Sequence, residues 1–130
     1  MTEPNSSIEF ASWPTIIAHD HVEILSTAYD AIEGRLEVVM ERDDQRIIAT
    51  FIEVVAFRLL DEGGLTELWA AEDNQPRPAF ATFRVRGHGW SRESPIPFIH
   101  GTDHGWSFVI ATITDCVEVL TRSEPRVELG

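Results

Sequence analysis

The sequence predicts a single, mainly β domain: a small antiparallel sandwich or meander barrel with little helix. Three observations carry that prediction. Short β-branched and aromatic segments recur with turn residues roughly every ten positions, as in an all-β sandwich or barrel. Several of these segments alternate apolar and polar residues with a period of two. The chain of 130 residues, 43% hydrophobic and 25% charged, has the composition of a globular protein and the size of one domain; two halves would be too small for separate cores.

The elements follow in order. Residues 1–7 are polar and expected to be flexible. β-Forming residues predict a short strand around Ile8–Phe10, another near Thr15–Ala18 and a firmer one at Val22–Tyr29, with a turn at Gly34. In GRLEVVME, Leu36, Val38 and Met40 share one face and Arg35, Glu37 and Glu41 the other. The charged ERDDQ then turns the chain. The run RIIATFIEVVAFRLL, residues 46–60, is apolar on both faces and reads as a central or strongly bent strand covered on both sides. A helix competes there, but the density of β-branched residues favours strand.

Asp61–Gly64 ends that run. Leu65–Ala71 reads as a strand or a short helical turn. FATFRVRGHGW sets Ala81, Phe83 and Val85 against Thr82, Arg84 and Arg86. RESPIPFIHGTDHG, with Pro95 and Pro97, is the longest segment expected to be irregular. WSFVIATITDCVEVLT closes the domain as two strands joined by an Ile-Thr-Asp turn. Val117 and Val119 face one way, and Cys116, Glu118 and Leu120 the other. Short connections favour a meander over a Greek key.

Composition excludes several functions. No apolar run approaches the roughly 20 residues that span a bilayer, and MTEPNSSIEF lacks the charged and apolar regions of a signal peptide. Cys116 is the only cysteine, so no intrachain disulfide forms, and its apolar flanks mark it as a buried small hydrophobe. A cytoplasmic location is expected. The net charge is −12, with 22 acidic residues, ten arginines and no lysine. That charge repels nucleic acid and anionic membranes and steers a basic protein partner inward. Residues 1–33 carry six acids and no base, whereas residues 77–92 carry four arginines and no acid. Those arginines are expected to pair with acids rather than bind an anion.

Motifs for chemistry are sparse. No phosphate-binding glycine loop and no GxSxG elbow is present, so no catalytic residue and no cofactor is assigned. His19 and His21 stand two apart, on one face of a strand, and His100, Asp103 and His104 cluster in HGTDHGW. These five are the residues that could ligate a metal, although no recognised zinc motif contains them. Partner anchors are sought among Trp69, Trp90 and Trp106, since large aromatics dominate binding hot spots. Arg84, Arg86, Asp61 and Glu62 would supply charge beside them. Trp13 completes the set of four tryptophans, each near a loop or strand end where a ring can plug a small β core.

The segments FRLLDEGGLTELW, FRVRGHGW and WSFVIATITDCVEVLTRSEPRVE resemble small, acidic, β-rich bacterial proteins of the kind encoded beside toxins as immunity proteins. The resemblance covers residues 36–128 in outline and leaves HGTDHG outside it. It implies a binding role with no catalytic residues: an inhibitor of a basic toxin. The alternative is a β-barrel binding a small ligand or metal, with His100, Asp103, His104 and Arg84 or Arg86 at its mouth. Self-association into a homodimer through an edge strand is a further reading.

Overall fold

A computed structural model describes residues 8–18, 20–61, 68, 81–102 and 104–130, with the backbone alone for His100. Among them are nine strands and two short helices: β1 (Glu9–Ser12), β2 (Glu23–Asp30), β3 (Arg35–Arg42), β4 (Gln45–Phe51), β5 (Val54–Asp61), β6 (Thr82–Arg86), α1 (Gly89–Glu93), α2 (Pro95–His100), β7 (Ser107–Ala111), β8 (Asp115–Thr121) and β9 (Arg126–Leu129). They form a five-stranded sheet, β1-β6-β7-β8-β5, and a four-stranded sheet, β2-β3-β4-β9. Every pairing is antiparallel. The described strands form a mainly β sandwich and close no barrel, so the barrel mouth expected for a small ligand does not form.

Each sheet is built around a three-strand meander; β9 joins β2-β3-β4 on one side, and β1 and β5 join β6-β7-β8 on its two sides. The β3–β4 hairpin turns on Asp43 and Asp44, both left-handed at φ of 49° and 66°. Two such residues match the right-handed twist of the flanking strands.

Residues 46–60 are two strands in different sheets, not one bent strand. The break falls at Ile52 and Glu53, where Glu53 takes a φ of 54°. The Thr121 hydroxyl donates to the Ile52 carbonyl at this corner. An apolar pattern on both faces cannot separate one covered strand from two strands that share a core.

Two further expectations are corrected. Thr15–Ala18 is a turn in which the Ala18 N–H donates to the Thr15 carbonyl at 3.2 Å. The Thr15 hydroxyl also accepts from the Ile17 N–H, the local bond by which threonine competes with a strand ladder. The supposedly irregular segment contains α1 and α2; Pro95 opens α2, where its missing N–H costs nothing. RVEL forms β9, which no sequence pattern flagged. Leu65–Ala71 lies outside the described residues apart from Leu68.

Two apolar layers result. Between the sheets, Leu36, Val38, Met40 and Ile47 meet Phe108, Ile110, Val117 and Val119. Trp13 plugs this core, its ring 4.9 Å from Phe108 and 6.1 Å from Phe51. The opposite face of the five-stranded sheet is also buried, with Phe83, Val85, Val109 and Cys116 packed with Ile8 and Leu68. β8 is therefore covered on both faces, Val117 and Val119 facing the four-stranded sheet and Cys116 the second layer.

Candidate functional site

Alternation along CVEVL puts Glu118 on the same face of β8 as Cys116, beneath the second apolar layer. Its side chain is 1% exposed. A lone carboxylate there would cost many kcal/mol, so the fold must supply partners. Register supplies the first. Arg58 of β5 lies directly opposite, its Nε 2.9 Å and its Nη2 2.7 Å from Glu118 Oε1. Ser107, on β7, donates its hydroxyl to Oε2 at 2.5 Å. His88, between β6 and α1, places Nε2 2.6 Å from the same oxygen, with its ring fully buried.

Burial pushes the Glu118 carboxyl up. The His88 hydrogen bond, the His88 and Arg58 charges and the Ser107 hydroxyl more than offset it, so the group sits below the ordinary carboxylate range. Ionised Glu118 accepts from all three neighbours. The His88 Nδ1 has no hydrogen-bond partner among the described residues.

The composition of this cluster, serine, histidine and carboxylate, matches a hydrolytic triad, but its wiring does not. A triad needs histidine between serine and carboxylate so that the ring can take the serine proton. Here the carboxylate is central, and the serine hydroxyl donates to it rather than to His88. The serine is also fully buried. What the cluster does is fasten the helical segment to the sheet. His88 precedes α1, and the rings of His88 and Trp90 pack edge-on against Phe98 of α2 at 5.5 and 5.4 Å. The Arg58 guanidinium lies 4.7 Å from the Trp90 ring.

Beside this cap opens a cleft of about 480 Å³ lined by Glu9, Arg86, Phe98, Ile99 and His104. Arg86 is fully engaged. Its Nε and Nη2 reach the Glu9 carboxylate at 3.3 and 3.1 Å, and its Nη1 donates to the His104 carbonyl at 3.0 Å. Its guanidinium stacks 4.2 Å from the Trp106 ring, with Arg84 at 5.4 Å. Arg84 Nε donates to the Ser12 carbonyl at 2.9 Å. HGTDHGW ends in a tight turn, with His104 and Gly105 both left-handed at φ of 61° and 79°.

The expected metal residues are not gathered among the described residues. His21 precedes β2 of the four-stranded sheet, and His104 precedes β7 of the five-stranded sheet. His19, Asp103 and the His100 ring lie outside the described residues, as do Trp69 and Glu62. No group of three or more metal-ligating side chains occurs among the described residues. Trp90 and Trp106 are half-buried against arginines, and Asp61 ends β5 opposite Asp115.

The sequence reading missed the pairing of His88 with Glu118. A signal existed: a glutamate amid apolar residues in a strand whose other face is also apolar must find a buried partner. Which residue meets it depends on strand order, and that is not written locally.

No protein-family model matches the chain, and no curated protein or solved structure matches it. No helix among the described residues is long and apolar enough to cross a membrane.

Proposed function

We propose that this protein is a non-enzymatic binding protein for a basic polypeptide, most concretely a cytoplasmic immunity-type inhibitor of a basic toxin. The observation that carries the reading is how its reactive side chains are spent. Ser107, His88 and Glu118 are consumed in a buried fastening, and Arg86 is locked to Glu9. What the surface offers instead is apolar side chains on ordered strands and a net charge of −12. Exposed apolar groups supply affinity, and complementary charge supplies the on-rate.

Affinity capture at low salt from lysate of the source cells, then reconstitution from purified components, tests this. The expected result is a basic polypeptide that binds the purified chain and releases with rising salt. If no polypeptide rebinds, or the rebound one is acidic, the reading fails.

The cleft favours a second reading, a small-ligand site at Glu9, Arg86 and His104. A thermal-shift screen with small organic anions separates the two, since a ligand of the native state raises the melting temperature by mass action.

A further inference from the structure

Two arginines of β6 lie against one indole and are bonded differently. The Arg86 guanidinium is 4.2 Å and the Arg84 guanidinium 5.4 Å from the centre of the Trp106 ring. Arg86 has a carboxylate: Glu9, directly across on β1, accepts from its Nε and Nη2. Arg84 has none among the described residues. Its one hydrogen bond there runs from Nε to the Ser12 carbonyl at 2.9 Å, so Nη1 and Nη2 keep all their N–H groups.

Register explains the difference. Residues two apart on a strand share a face, so Arg84 and Arg86 point the same way, as do Ala11 and Glu9 across from them. The neighbour of Arg86 is a glutamate. The neighbour of Arg84 is an alanine, whose methyl offers no acceptor and fills little space. On the other side β7 sets Phe108 opposite Arg84, a ring of the core between the sheets. Next along β6, the Thr82 hydroxyl is bonded to Thr15 and to the Trp13 carbonyl. Arg84 is therefore a half-buried cation at the margin of an apolar core, without an anion among the described residues. A partly desolvated guanidinium favours a carboxylate, which it grips through two parallel N–H bonds.

We propose that Arg84 is the binding site for a carboxylate group carried by a ligand. The carboxylate would accept from Nη1 and Nη2 on the Ala11 side, with Trp106 along its flank. Glu9 on Arg86 is the same chemistry performed within the chain, on the same strand and against the same indole. A monocarboxylate suits the site better than a phosphate, because a net charge of −12 repels a dianion more strongly. Arg84 does not line the cleft beside Arg86, so this site is separate from the small-ligand reading of that cleft. Nor does it depend on the charge of a polypeptide partner.

The test is an NMR titration of the full chain that follows the Arg84 Nε–H and the Trp106 indole N–H. Benzoate is the probe, and benzamide, its neutral counterpart, is the comparison. The expected result is saturable shifts of both signals with benzoate and none with benzamide. Arg84→Gln should weaken benzoate binding at least about tenfold. Ala11→Glu should do the same by supplying the carboxylate from within the chain. At low salt it should also melt at a higher temperature than Ala11→Gln. A capped peptide with one central glutamate is titrated in parallel. Saturable binding of either acid supports the site, and the tighter of the two names the source of the carboxylate. The proposal is overturned if neither acid moves the two signals, or if benzamide moves them equally. It is also overturned if Arg84→Gln binds benzoate as well as the unaltered chain does, which would move the acid to the cleft beside Arg86. Unchanged benzoate affinity in Ala11→Glu, with a dispersed spectrum, would sink it as well; should that variant not fold, Arg84→Gln decides alone.

Discussion

Truncating Glu118 to alanine should be among the most damaging single changes in this domain. The carboxylate accepts from Arg58, Ser107 and His88. Removing it affects three donors unequally. Arg58 is 29% exposed and can turn its guanidinium to water, and the Ser107 hydroxyl keeps a second acceptor in the Val85 carbonyl at 3.2 Å, whereas His88 is fully buried and is left without a partner. An orphaned buried donor costs about 1–3 kcal/mol, and more for a charged group. Removing one partner of a buried ion pair typically costs roughly 3–5 kcal/mol, so a loss of about 2–5 kcal/mol is expected. For a domain whose whole stability is about 5–15 kcal/mol, that is a large share. Urea unfolding followed by tryptophan fluorescence measures it as a shift in midpoint at constant slope. A loss below about 1 kcal/mol would refute the reasoning, because it would mean that water reaches His88 freely. The combined change Arg58→Met, His88→Phe and Glu118→Leu should recover most of the loss, since apolar replacement of a whole buried ionic cluster is often neutral.

Stability should also depend on acid in a way that Glu118 controls. Its folded pKa lies below its unfolded value, so between the two the unfolded state binds more protons and stability rises with pH. The contribution is complete above the ordinary carboxylate range and lost as pH falls through the depressed folded value; urea midpoints across acidic pH should show this slope shrink in Glu118→Ala. Replacing Asp43-Asp44 by Asn-Gly should stabilise the β3–β4 hairpin by about 0.5–1 kcal/mol in the same assay, because both positions are left-handed. Gly101→Ala should cost about 1–3 kcal/mol, since its Cβ would lie 2.5 Å from the Pro97 carbonyl oxygen and 2.7 Å from a Val55 methyl. No change in melting temperature for that variant would show that the end of α2 is loosely seated on β5.

How much of this was legible in the sequence depended on the range of the signal. Alternation in RLEVVME and TFRVR marked β3 and β6 and their buried faces, because a period of two is local. The two faces of β8 were legible for the same reason. The corner at Glu53 was not, because a left-handed glutamate leaves no compositional trace and the apolar run continues through it. Nor were α1 and α2, since Pro95 and Pro97 read as breakers until one sees that a helix can start on proline. The site divided similarly. The histidines of HGTDHGW drew attention by spacing, while His88, thirty residues from Glu118, could be joined to it only once the order β6-β7-β8-β5 was known. The open side of Arg84 was invisible for the same reason: a cross-strand neighbour is a property of the sheet, not of the strand.

The central claim, that this acidic sandwich works by binding a basic polypeptide, is tested most directly by the association rate of the captured partner as ionic strength is raised. Stopped-flow mixing of the purified components gives that rate. Electrostatic steering predicts a steep fall, on the order of tenfold or more between low and physiological salt, with dissociation changing far less. An association rate that stays flat across the same range would contradict the account.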